Sequence, residues 1–210
     1  MSSSVFANFE DAIAILKKGG VLIYPPETFL ALGCRADATD AVALIVEIKR
    51  RPGAKPFPLI ASDMEQIALV GDISGFSRST LERLWPAPLA ILIPALAHLD
   101  SHLKNGQNIA AVRVPDSRLT RTLARECGAP LVATSANFSG DPPASVFSEI
   151  DPEFLAVARA SGAGVLRDDG ERKYDKPSSI IEFLDPVAVR ILREGAISRD
   201  ELEKKGLRVI

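Results

Sequence analysis

Cysteine and histidine are scarce in this chain of 210 residues, with two of each: Cys34, Cys127, His98 and His102. The histidines lie far in sequence from both thiols, so they form neither a disulfide framework nor a zinc signature, and a reducing cytoplasm fits best. An excess of one charge is also missing. There are 25 Lys and Arg against 27 Asp and Glu, a formal net charge of −2, and no global field draws the chain to nucleic acid or an anionic membrane. Aromatics make up 6% of the residues and form no stacking motif of the kind that grips single-stranded RNA. No apolar run nears the ~20 residues of a membrane span, and Met1 to Phe6 lacks a basic segment leading into an apolar one. The expectation is a cytoplasmic protein, neither exported nor inserted. The two commonest phosphate loops, Gly-x-x-x-x-Gly-Lys-Ser/Thr and Gly-x-Gly-x-x-Gly, do not occur. Nor does a nucleophile, base and orienting acid assemble: the histidines fall in a polar loop, Cys127 continues the helical stripe of Leu119 and Leu123, and Cys34 reads as packing.

What is present is a regular alternation. With 47% hydrophobic residues the chain is long enough to bury a large core, and residues 1–210 read as a single domain. Phe9, Ala12, Ile13 and Leu16 follow the N-cap residue Asn8 at helical spacing, and Gly19-Gly20 ends that helix before the strand Val21 to Tyr24. A second stripe, Ala41, Leu44, Ile45 and Ile48, stops at Arg51-Pro52-Gly53. Phe57 to Ala61 then reads as a strand, with Pro58 marking an edge or a bulge. Further strands are expected at 89–93, 109–114, 131–134, 180–183 and 187–192, and helices at 78–84, 117–127 and 152–160, with a last short helix at the Ser198 and Glu201 capping box. This order predicts a three-layer α/β domain. The charged insert from Arg167 to Lys176 reads as a solvated loop or a mobile lid.

Two places could carry chemistry. Leu131 to Gly140, LVATSANFSG, is a strand running into a loop with three hydroxyls and one amide, able to wrap an anion with neutral donors or simply to turn. Lys49 and Arg51 end the second helix, where cations offset the helix dipole in any case. Joined by Lys55, Arg113 and Arg193 they could clamp a polyphosphate or carboxylate, Arg through its planar fork and Lys as a point charge.

In order along the chain, GGVLIYPPETFLALG, IKRRPGAKPF, LWPAPLAILI, AVRVP, PLVATSANFSG, PSSIIEF and RILREGAI together resemble the YrdC family of threonylcarbamoyl-adenylate synthases. The resemblance implies an open twisted mixed sheet with flanking helices and a concave basic cavity. It also implies synthesis of threonylcarbamoyl-AMP and pyrophosphate from L-threonine, bicarbonate and ATP, with Mg²⁺ on the phosphates, for modification of tRNA. Candidate partners are then tRNA or double-stranded RNA and other tRNA-modification proteins. By position in the motifs, Lys49, Arg51, Ser135 and Asn137 become phosphate and adenylate ligands, Arg113, Ser179 and Arg193 further candidates, and Thr28 the surviving hydroxyl of the amino-acid loop. Lys49→Ala and Asn137→Ala are expected to weaken ATP binding and leave stability almost unchanged.

The chain departs from the family pattern Pro-Thr-Glu-Thr-x-Tyr-Gly-Leu-Gly at Pro26, Leu30 and Ala31, and from Trp-Pro-Gly-Pro-x-Thr at Ala87 and Ala90. These changes remove hydroxyls, a phenol and two glycines where the amino acid is expected, while the phosphate candidates are kept. The alternative is therefore a diverged YrdC-like protein that binds nucleotide or RNA without this activity.

Overall fold

The computed structural model describes residues 6–51, 55–167 and 173–210. Helix α1 (Phe9–Lys17) begins where Asn8 Oδ1 accepts from Asp11 N at 2.8 Å, and it ends before Gly19, whose φ of +75° turns the chain toward strand β1 (Leu22–Tyr24). The chain then runs through β2 (Ala31–Gly33), α2 (Thr39–Ile48), β3 (Leu59–Ile60), α3 (Met64–Ile67), α4 (Arg78–Leu84), β4 (Leu89–Pro94) and β5 (Ile109–Arg113). It continues as α5 (Arg118–Cys127), β6 (Leu131–Val132), β7 (Thr134–Ser135), α6 (Pro152–Ala160), β8 (Gly164–Val165), β9 (Ser179–Phe183), β10 (Ala188–Arg193), α7 (Arg199–Lys204) and β11 (Arg208–Val209). The expected caps are in place: Asp151 Oδ1 accepts from Phe154 N, and Ser198 and Glu201 close a reciprocal box at the start of α7.

The strands form two mixed sheets, a small one in the order β7-β2-β1-β8 and a large one in the order β11-β10-β9-β4-β5-β3-β6. Alternation along β1 joins two cores. Val21 and Ile23 enter the main core with α2 and the large sheet, whereas Leu22 and Tyr24 pack with Ala12 and Leu16 of α1 and Leu123 and Cys127 of α5. Tyr24 donates to Val132 O at 2.8 Å, which ties the small sheet to the large one. Gly33 is needed at the same junction, because a Cβ there would run into the Val132 carbonyl oxygen.

Two expectations are corrected. Pro58 marks no edge: it directly precedes β3, which lies between β5 and β6, so its missing amide falls just outside the paired residues. The strand expected over 131–134 is two strands. Leu131 and Val132 pair with β3 in the large sheet, Thr134 and Ser135 pair with β2 in the small one, and Ala133 is the crossing point. The Ser135 to Asn137 loop therefore starts where the sheets diverge. Strands β2, β8 and β11 and helix α3 were not expected. Pro52, Gly53 and the part of the charged insert from Asp168 to Arg172 lie outside the described residues. Among the described residues no helix is long and apolar enough to cross a membrane.

Candidate functional site

A cleft of about 570 Å³ opens between the sheets. The large sheet contributes Ala111 and Arg113 from β5, Ile180 from β9 and Arg193 from β10, and the small sheet contributes Ala31, Thr134 and Ser135. Period-two alternation explains the choice on β5: Ala110 and Val112 are in the main core, so Ala111 and Arg113 face the cleft. Pro26, Thr28 and Phe29 of the β1–β2 loop, Pro177 and Ser178, and Arg51 with Lys55 complete the wall. Among the described residues four cations and several hydroxyls line this space and no acid does.

The Lys49-x-Arg51 pair divides between two roles. Arg50, at φ +47°, reverses the backbone after α2. Arg51 turns into the cleft, its Cζ 4.6 Å from the Phe57 ring centroid and its Nη2 donating to Lys55 O at 2.8 Å. Lys49 does not line the cleft and is 1% exposed. Its ammonium donates to Ser135 O at 2.6 Å, Asn137 O at 2.7 Å and Asn137 Oδ1 at 3.1 Å. Ser135 Oγ also donates to Asn137 Oδ1, at 2.6 Å, and Asn137 Nδ2 donates to Asp141 O. The loop thus clasps Lys49, and Asn137 is a fastener within it. Arg50 stacks on the next residue of the loop, Phe138, at 4.1 Å.

Burial pushes the Lys49 amine down to about 7, Arg51 adds to the shift and Asp141 opposes it. Between about pH 7 and the ordinary lysine value of 10.5 the unfolded chain holds a proton that the folded one has released, so this group makes stability rise with pH across that window. The full cost of burying the charge is present below about pH 7. Thermal melts from pH 6 to 10 should show this slope in the wild type and lose it in Lys49→Met.

At the opposite wall Ser178 holds two arginines. Its Oγ accepts from Arg113 Nη1 at 3.0 Å and Arg193 Nη2 at 3.2 Å, and its carbonyl accepts from Arg193 Nε at 3.0 Å and Nη2 at 2.6 Å. Burial, then the neighbouring Arg113 charge, lower the Arg193 pKa. Ser179 faces inward, donating to Ile197 O at 2.6 Å and accepting from Gly195 N and Ile197 N at 3.0 Å. Sequence reasoning chose Ser179 and missed Ser178. Alternation on β9 carried the signal, since Ile180 lines the cleft while Ser179 and Ile181 are fully buried. Ser178→Ala should weaken binding of pyrophosphate, as a probe polyanion, by about tenfold, the worth of one charge-assisted hydrogen bond, and lower the melting temperature by a few degrees, because Arg113 Nη1 loses a buried acceptor; calorimetric titration and a thermal melt check it.

Of the altered loop positions, Pro26 and Ala31 line the cleft, while Leu30 and Ala87 pack into the main core. Ala90 pairs with Ile180 and is 1% exposed. Both cysteines are buried and burial raises both thiols, Cys34 to about 12, in keeping with a packing role. For a divalent cation the donor set is poor: among the described residues no group of three or more His, Cys, Asp or Glu could hold a metal, and no acid lines the cleft.

A mixed α/β fold whose two sheets diverge around clustered arginines and hydroxyls forms a basic cleft at the point where the chain crosses from one sheet to the other. The Sua5, YciO and YrdC family model, described as "Telomere recombination", matches residues 14–195, and the chain belongs to that family. A threonylcarbamoyl-AMP synthase of Chromohalobacter salexigens is 35% identical over 171 residues, 81% of this chain and 89% of that protein. Another, of Xanthomonas campestris pv. campestris, is 34% identical over 196 residues, covering 92% of this chain and 97% of its own. P. abyssi Sua5, crystallised with L-threonine, superposes with a TM-score of 0.81 at 24% identity over 99% of this chain, which shows the shared fold; this chain spans 63% of its length.

Proposed function

We infer that the protein is a threonylcarbamoyl-AMP synthase, a transferase of tRNA modification that joins L-threonine, bicarbonate and ATP into threonylcarbamoyl-AMP with release of pyrophosphate. Sequence kinship with curated synthases over most of both chains supports the activity. The observation that carries the site is the convergence of Arg51, Lys55, Arg113 and Arg193 on one cleft beside Thr28 and Ser135, with no acid on its wall among the described residues.

In this reading the cations hold the phosphates of ATP and offset the charge that builds at the α-phosphorus, while Ser135 lies against the nucleotide. The threonine amine takes up bicarbonate to give a carbamate and water. A carbamate oxygen then attacks the α-phosphorus and the bond to pyrophosphate breaks. Alignment of the reactants between two rigid sheets supplies much of the acceleration. Thr28, the hydroxyl of the β1–β2 loop, faces the amino acid. Among the described residues the cleft provides no carboxylate for a metal, so a divalent ion would be held by ATP's own phosphates and would supply charge neutralisation there. Residues 1–210 act as one catalytic domain in the cytoplasm, and tRNA is the destination of the adenylate.

The test is pyrophosphate release from ATP with bicarbonate and L-threonine, with the adenylate identified by mass spectrometry. Threonine-dependent product supports the synthase. ATP binding without turnover, with any of the common amino acids, would favour a diverged binding protein, the outcome to which the changes at Pro26 and Ala31 point.

A further inference from the structure

The reading above leaves one buried acid without a task. Glu27 is 4% exposed and lies between Pro26 and Thr28, both on the cleft wall. Neither of its carboxylate oxygens has a hydrogen bond among the described residues, and neither has appreciable accessible surface. A buried carboxylate without N–H partners is unfavourable, and its presence in a folded chain calls for a reason. Its ion-pair partner is Arg113, with Oε1 3.3 Å from Nε, close enough for strong attraction but not aligned as a hydrogen bond. The other end of that guanidinium is engaged elsewhere, since Nη1 donates to Ser178 Oγ, which also accepts from Arg193.

We propose that Glu27 is a positioning residue for the reaction: as a built-in counter-ion it holds the Nε edge of Arg113, so that this buried guanidinium stays turned to Ser178 and the cleft before any anion arrives. Arg113 and Arg193 share one hydroxyl and repel each other, and a fixed negative charge behind Arg113 keeps the two forks together. The carboxylate oxygens are covered, so they touch no substrate in this geometry. The loop is also held from outside. Tyr174 N donates to Glu27 O at 3.2 Å, while Lys173 and the Tyr174 hydroxyl both reach Asp116.

This inference rests on the cleft being the ATP site, and it makes a prediction that a ligand contact or a packing residue would not. A carboxylate behind Arg113 orients the guanidinium but repels the polyphosphate. Glu27→Gln keeps the side-chain shape and removes the charge. Its kcat for threonine-dependent pyrophosphate release should fall about 10- to 100-fold, whereas the Kd for α,β-methylene-ATP, by calorimetry, stays within about twofold or tightens. Unchanged kcat would overturn the proposal, and so would a parallel tenfold loss of nucleotide affinity, which would make Glu27 a support for binding. Should Glu27→Gln not fold, Glu27→Asp, which keeps the charge but draws it back by one methylene, reads the same split between kcat and Kd. Failure of the unaltered protein to bind the analogue is a separate result, one that removes the functional reading and the proposal together.

Discussion

Lys49→Met should melt roughly 6–12 °C below the wild type and lose measurable ATP binding, the first by calorimetry and the second by titration. The substitution keeps the length and apolar stem of the side chain and deletes only the ammonium. That leaves the Ser135 and Asn137 carbonyls and the Asn137 side-chain oxygen without the donor that now reaches all three. Asn137 Oδ1 keeps the Ser135 hydroxyl, but the two carbonyls lose a donor at about 1–3 kcal/mol each, and removing the costly buried charge returns part of the sum, so about 3 kcal/mol is the expected net. ATP binding fails because Ser135 and the loop behind it move. The expectation from sequence, lost affinity at constant stability, treated Lys49 as a ligand in the cleft. A melting temperature unchanged in Lys49→Met would restore that role.

One dihedral separates the placement of Lys49 from that of Arg51. Two cations at i and i+2 after a helix look equivalent, and Arg50 carries no sign that its backbone is left-handed, as a glycine would. Local signals elsewhere were sufficient: Asn8, Asp151 and the Ser198–Glu201 box start their helices where capping chemistry puts them, and the apolar runs of β4 and β5 are strands. The failures are tertiary. Residues 131–135 form one β-like run, and nothing in them records that Val132 and Thr134 join different sheets, because the partners that decide it are Leu59 and Leu32. The three-residue β2 is likewise held by strands distant in the chain. Within the site, Arg113 was reached by its position in the AVRVP motif, and alternation against apolar Ala110 and Val112 was a signal for it, as alternation on β9 was for Ser178. Glu27 could not be found in this way, since its significance depends on an ion pair with Arg113, distant in the chain, and on carboxylate oxygens without a hydrogen bond among the described residues.

Replacing Arg113 with methionine should lower stability by about 3–5 kcal/mol and abolish turnover, and Glu27→Gln added to it should restore most of the stability and none of the turnover. The first substitution leaves the Glu27 carboxylate buried, without hydrogen bonds and without its ion-pair partner. The second replaces that charge with a neutral amide of the same shape, which removes the larger part of the desolvation cost. Denaturant unfolding of the wild type, both single variants and the double variant gives the coupling directly, and pyrophosphate release measured on the same four proteins gives its catalytic counterpart. The two readouts diverge because stability requires only that the buried charges cancel, whereas catalysis requires a guanidinium at that place in the cleft. If the double variant were no more stable than Arg113→Met, the carboxylate would not depend on Arg113, and the ion pair would be a contact of geometry without energetic weight.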